Sequence, residues 1–450
     1  MTEALTARQI RGYKRDRRLG KLYLFLFFLF VGIHKAEQLQ QFYTGISLKT
    51  ITIITPLFIP PIFLVLALFK YNKIHVKTRE TTSGKQFSLI SYLFIGFTFL
   101  LTLYGLLIGN PTFYITTEIW IYFIVILCIF LGRYDAVWED MYKPLVILFW
   151  VFFVPVYAAT YIPKLEFIES GVADYLIEKH GSLTGTGTLA YQMYPILDFF
   201  PIIFVMSAVR KKTDIWKILG ICSILGYLGM HIFFAKRAPS VRAVTYIFMI
   251  FFTLQLVNLS FKNMFKIAVP ALIGLMALTS MVSIDGLMDR LSKSSEDKSR
   301  QNEVAVLLQQ LNAFEWVAGR GFGGYFELGS SREEYGLGAY EIKEGVFGKV
   351  NMHIAFFYPL LKGGLVFLIL TLSLSLPLIY RWRDRKWMNN RYNFTAFCIL
   401  SVIFLYQFIE GPFSSGMTFL GVLYGLCWGR VGTSLHQFSL RYNLKKLESS

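Results

Sequence analysis

A few residues in this chain carry groups suited to one kind of chemistry, the handling of a phosphate ester near neutral pH. Arg237 and Arg242 flank the short turn Ala238-Pro239-Ser240, Arg300 opens a run with helical periodicity, and Arg320 sits in the glycine turn Gly319-Arg320-Gly321-Phe322-Gly323-Gly324. A guanidinium suits a phosphate because its planar fork donates two parallel charge-assisted hydrogen bonds and never loses its charge. Glycines such as Gly321 and Gly323 add backbone N–H groups that an anion can approach with no side chain in the way. His353 closes the longest polar stretch, and a neutral imidazole accepts a proton near pH 7, which makes it a candidate general base. Lys362, nine residues further on, is a supporting cation if it faces the same cavity and a snorkelling lysine if it does not.

Each of these residues also has a plainer reading. Arg237, beside Lys236, fits an interfacial anchor. Arg300 fits a surface charge, and His353 a packed or capping residue near a helix end. Arg242 lies further into an apolar run, where an unpaired charge costs about 2.5–3.5 kcal/mol or more at the membrane centre and calls for a partner. Glu118, Asp198 and Glu410 are embedded or boundary acids able to pair with such cations. His180 stands in a glycine-rich loop and His231 inside an apolar run, and both are weaker candidates. No DxD, HExxH or paired-histidine spacing is present, and no P-loop, dinucleotide fingerprint or GxSxG elbow. The expected chemistry therefore needs no metal and no cofactor, and a donor that arrives already activated.

The elements that must hold these groups are membrane helices. The 450 residues are 55% hydrophobic and only 16% charged, against roughly 25% charged in soluble domains. Candidate spans fall at 21–34, 49–70, 88–109, 112–132, 144–162, 194–209, 216–235, 241–259, 264–283, 354–380, 394–410 and 413–431, twelve in all. The expected class is an all-α polytopic membrane protein, one transmembrane domain over 1–450. The first basic stretch and span read as a retained helix rather than a cleaved signal. Cys128, Cys222, Cys398 and Cys427 all lie in apolar runs, which argues against a disulfide framework.

The net charge of +17 suggests nucleic acid until it is sorted by loop. The termini and the loops at 71–87, 133–143, 210–215, 260–263 and 381–393, with the adjoining span ends, hold 29 of the 45 Lys and Arg but 9 of the 28 Asp and Glu. That bias follows the positive-inside rule and predicts both termini on the cytoplasmic side. The clusters Arg11–Arg18, Arg210–Lys212 and Arg381–Lys386 then read as topology and lipid-headgroup anchors, with no nucleic-acid partner. Two long external loops remain, 163–193 and 284–353, and loops of this length are uncommon unless they work or are disordered. The larger carries Val304, Leu307, Leu308, Leu311 and Phe314 at helical spacing, with Glu303, Gln309, Gln310 and Asn312 opposite. The pattern predicts an amphipathic helix over Glu303–Val317, capped by Ser299 or Asn302.

The segment Phe314-Glu315-Trp316-Val317-Ala318-Gly319-Arg320-Gly321-Phe322-Gly323, followed by Asn351-Met352-His353 and then Leu361-Lys362-Gly363-Gly364-Leu365, resembles the core of the O-antigen ligase and Wzy-type polymerase family. The arginines at 237 and 242 resemble that family's other arginine site, and a large outer loop before the last three spans is also similar. The resemblance implies a GT-C-like membrane glycosyltransferase that transfers a glycan from a polyprenyl diphosphate at the outer face of a bacterial inner membrane. It implies diphosphate contacts from Arg237 or Arg242, Arg320 and Arg300, with His353 as base on the acceptor hydroxyl. Membrane lipids and a chain-length regulator are the other expected partners. Ile354 follows the histidine where ligases usually carry Asn, Ser or Gln, which favours a polymerase over a ligase. A lipid-linked oligosaccharide flippase is the non-enzymatic alternative.

Overall fold

The computed structural model describes residues 7–33, 49–74, 82–166, 199–233, 244–250, 295–329, 340–343, 346–350, 352, 356–406 and 418–432. These residues are mostly helical, as a chain must be where lipid offers no partner for a backbone N–H or C=O. Among the described residues, three helices are long and apolar enough to cross a membrane: Phe87–Leu107, Thr112–Gly132 and Phe357–Arg381. Of the remaining predicted spans, 49–70 and 144–162 lie wholly within helices, and the others coincide with helices over part of their length or lie wholly or partly outside the described residues, as 264–283 does. The chain divides into two compact units, one of Met1–Val76, Tyr134–Leu291 and Asn389–Cys398, the other of Lys77–Arg133, Ser292–Met388 and Ile399–Ser450.

In the first unit, α1 (Ala7–Ile33) packs along α2 (Lys49–Ile74) and against α5 (Asp135–Glu166). α1 starts well before the span predicted at 21–34 and carries the basic segment with it. Arg17 turns inward there, its fork on Asp140 at 2.8 and 3.0 Å and on Glu139 at 3.0 Å, while the Tyr71 hydroxyl donates to Asp140 at 3.1 Å. Lys70 reaches Asp16 at 2.9 Å. Arg210 likewise pairs with Asp214 at 2.6 Å. These members of the basic clusters hold elements together, and the plain headgroup-anchor reading does not cover them. The sixth predicted span, 194–209, is described as helix only over α6 (Phe200–Ala208), which packs on α7 (Ile215–Phe233) with Phe200 stacked on Tyr227.

In the second unit, α3 (Thr82–Leu107), α4 (Thr112–Gly132), α10 (Phe357–Ser373) and α14 (Thr418–Gly432) form the membrane-type core. α4 and α14 meet most closely, because Gly425 and Gly429, four residues apart, let their backbones touch. A Cβ on Gly425 would lie 2.6 Å from both Cys128 Cβ and the Val125 carbonyl. Small residues at this spacing are the usual means of close approach where burial in lipid supplies little driving force. After α10 come two short helices, α11 (Pro377–Arg381) and α12 (Arg385–Met388), and then α13 (Arg391–Tyr406).

The segment predicted as an amphipathic helix over Glu303–Val317 differs in three ways. It is two helices, α8 (Ser295–Gln310) and α9 (Ala313–Ala318), and the first begins ahead of both proposed caps. The break falls at Leu311-Asn312 because Asn312 caps α9, accepting the Glu315 N–H at 2.9 Å while Glu315 accepts the Asn312 N–H at 3.0 Å. Glu303, assigned to the polar face, is buried on the same stripe as Leu307 and Leu311 and pairs with Lys349. A three-stranded antiparallel sheet, β1 (Phe326–Gly329), β2 (Tyr340–Lys343) and β3 (Val346–Lys349) in the order β1-β3-β2, also departs from the all-α expectation. Its strands have four residues each, too short for alternation to stand out in the sequence.

Candidate functional site

The polar loop of the second unit is seated in a break of a membrane-type helix. α10 loses helical geometry at Gly363 (φ −136°, ψ 19°) and Gly364 (φ 59°, ψ −160°). The break removes the usual partners of the carbonyls before it, and lipid cannot replace them. The glycine turn does: the Arg320 N–H donates to the Leu361 carbonyl and the Gly321 N–H to the Lys362 carbonyl, both at 2.8 Å. On the other side, the Phe322 N–H donates to the Leu101 carbonyl of α3 at 3.1 Å. Asn110, between α3 and α4, donates from Nδ2 to the carbonyls of Arg320 and Phe322 at 2.7 and 2.8 Å. Gly319, Gly321 and Gly323 all have φ near +70°, a region L side chains rarely adopt. A Cβ on Gly321 would also lie 2.7 Å from the Gly105 nitrogen.

Phe322, fully buried, anchors the turn. Its ring stacks on Tyr122 of α4 at 4.8 Å and meets Phe367 of α10 edge-on, and Phe367 in turn stacks on Phe94 and Phe97 of α3.

A buried ion pair lies beneath the turn. Lys362 Nζ is 2.6 Å from Glu118 Oε1, a charge contact, while its aligned hydrogen bond goes to the Gly324 carbonyl at 2.7 Å. Glu118 Oε2 accepts the Gly323 N–H at 2.7 Å. The Tyr358 ring also lies 5.2 Å from Nζ. Lys362 and Glu118 are 0% and 3% exposed. Two charges at this depth persist because each neutralises the other and their remaining valences meet backbone groups. Lys362 therefore neither snorkels nor reaches a solvent cavity. The pair binds the loop to α4 and α10 and has no open face to offer a substrate.

Arg320 is similarly engaged. Nε and Nη2 contact Glu315 at 3.0 and 3.2 Å, Nη2 also donates to the Gln310 carbonyl at 2.7 Å, and Nη1 donates to the Tyr325 carbonyl at 2.7 Å. Its side chain ties α8, α9 and the approach to β1 into one piece. The sequence suggests a turn offering N–H groups and a guanidinium to an anion. In this conformation every N–H from Gly319 to Gly324 and the Arg320 charge already have protein partners. The glycines serve close packing against α3 and α10 instead.

Of the other predicted residues, Arg300 falls within α8. Arg237, Arg242 and His353 lie outside the described residues, although Met352, next to His353, is fully buried. The Lys349–Glu303 pair holds β3 to α8 three residues before Met352. Asn110 and Tyr358 escaped the sequence reading. The signal for Asn110 was a polar residue in the tight Gly109-Asn110-Pro111 connection, and for Tyr358 its place one helical turn before Lys362. Among the described residues no cluster of His, Cys, Asp or Glu is suited to a metal ion.

No protein-family model matches this chain, and a search of curated proteins finds no match either. The resemblance to the O-antigen ligase and Wzy-type polymerase family thus rests on the residues quoted above.

Proposed function

We propose that this protein is a membrane glycosyltransferase of the polysaccharide-polymerase type, transferring a glycan from a polyprenyl diphosphate to an acceptor sugar hydroxyl at the outer face of a bacterial cytoplasmic membrane. The observation that supports this reading best is the seating of the Gly319–Gly324 turn in the broken helix α10. A large polar loop built into membrane helices by buried charges and an aromatic plug has the rigidity that positioning a lipid-borne donor demands. His353, in the short segment between Met352 and the start of α10, is the proposed base on the acceptor hydroxyl. Arg237, Arg242 and Arg300 are the proposed contacts to the diphosphate, stabilising charge on the leaving group. The partners of Arg320 support a different role from the one its motif suggests: it positions the loop, and its fork becomes available to phosphate only if the Glu315 contact opens.

The reaction is written as direct displacement with inversion. The acceptor oxygen bonds to the anomeric carbon as the carbon–oxygen bond to the diphosphate breaks, and the hydroxyl proton passes to His353. Purified protein in lipid, supplied with a polyprenyl-diphosphate oligosaccharide, is expected to make longer glycans, and His353→Ala to lose most of that activity. Elongation at the normal rate by His353→Ala removes the histidine from this role. Gene deletion separates the ligase alternative, in which the glycan goes to lipid A core or protein. Loss of a polymerase leaves single repeats attached to the acceptor, and loss of a ligase leaves none.

A further inference from the structure

At the other end of the second unit's helices, three helix ends each carry an arginine. Arg381, the last residue of α11, is 5% exposed. Its Nε donates to the Val431 carbonyl of α14 at 3.1 Å and its Nη1 reaches Asp384 at 3.5 Å, but its buried Nη2 has no hydrogen-bond partner. Arg430 of α14, also 5% exposed, donates to the Arg133 carbonyl at the end of α4 at 3.4 Å. The carbonyl that Arg381 caps belongs to the residue that follows Arg430 in α14. The Arg133 guanidinium stands over the rings of Phe87 and Phe130, and the Phe87 ring closes on Gly432, next to the carbonyl that Arg381 caps. Three arginines thus stand where α4, α11 and α14 end, and Asp384, with a side chain 44% exposed, reaches Arg381.

Capping of helix C-termini explains one nitrogen on each of Arg381 and Arg430. It does not explain a buried Arg381 Nη2 without a hydrogen-bond partner. The Trp387 and Tyr380 rings lie 4.8 and 5.4 Å from the Arg381 guanidinium carbon, and Nη2 is the donor left for an anion. A tetrahedral oxyanion supplies the acceptor that Arg381 Nη2 lacks, in a charge-assisted hydrogen bond. We propose that the ends of α4, α11 and α14 form a binding site for a phosphate group, with Arg381 as its principal ligand and Arg430 and Arg133 beside it. Two sources present this chemistry, the headgroup of an anionic phospholipid and free inorganic phosphate.

The full-length protein tests the proposal in two arms. In nanodiscs, the number of phosphatidylglycerol molecules retained against a phosphatidylcholine background is read by native mass spectrometry. In detergent free of phospholipid, the midpoint of thermal unfolding is read as inorganic phosphate is titrated. Retention of phosphatidylglycerol that weakens about tenfold in Arg381→Gln assigns the site to a lipid. A saturable rise in midpoint with phosphate, lost in Arg381→Gln, assigns it to the free ion. Arg381→Lys, which keeps the charge and removes the fork, covers the case in which the glutamine variant fails to fold, and is expected to bind more weakly than wild type. Lys386→Gln, an exposed neighbour, is expected to change neither arm. No response in either arm, or an equal loss with Lys386→Gln, overturns the proposal. Neither readout depends on glycan transfer.

Discussion

At the scale of single residues, the Glu118–Lys362 pair decides how the polar loop meets the membrane helices. Removing one member strands the other charge in a site 0–3% exposed, at a cost of about 3–5 kcal/mol. Lys362→Met and Glu118→Gln are each expected to lower the thermal midpoint sharply in detergent, and the double variant to lower it by less than the two together. Additive losses show that the two side chains do not act as a pair. Phe322→Ala opens a cavity between Tyr122 and Phe367 and is expected to cost about 3–5 kcal/mol, read in the same assay. Arg320→Lys keeps the charge but cannot span Glu315, Gln310 and Tyr325 at once, so it is expected to speed proteolysis within residues 295–329.

At the scale of elements, the loop and α10 form one joint. The helix is interrupted where Leu361 and Lys362 offer carbonyls, and the turn carries N–H groups at the matching spacing. Gly364 sits at φ 59° against the backbone of Val317 and Ala318, so Gly364→Ala must both strain its own backbone and push α9 away. The expected result is loop cleavage at lower protease concentration with the helix content of the circular dichroism spectrum nearly unchanged. Asn312→Ala removes the cap of α9 and is expected to cost about 1 kcal/mol, since helix caps contribute on that order. The element boundaries were partly legible. The span predicted at 112–132 coincides with α4, because a run of apolar residues between Pro111 and the polar Arg133-Tyr134-Asp135 leaves little choice. The helix predicted over Glu303–Val317 did not survive, because the capping box at Asn312 outweighs a hydrophobic stripe that runs straight through it.

At the scale of the whole molecule, acid is expected to act on the first unit through its ion pairs. The hydrogen bond from Lys70 holds the Asp16 carboxyl below its ordinary value against opposing burial, and Arg210 does the same for Asp214. A depressed carboxyl contributes stability that is fully present above the unfolded-state value near 3.8 and is lost as pH falls through the lower folded value. The thermal midpoint is therefore expected to hold down to about pH 5 and to fall below about pH 4, and Asp16→Asn to flatten that fall. The sequence by itself determined that this is a helical chain built for lipid, which residues carry charge into it, and the loop in which chemistry is expected. Composition and hydropathy report the solvent each residue needs, and solvent preference is a property of the residue alone. Only the tertiary structure decided that Lys362 meets Glu118, that Arg320 binds its own loop, and that Arg381 caps α14 with Nη2 left without a partner. Those are facts about distance between segments far apart in the chain, and the partner of a charge is set by which helices pack, which no local pattern records.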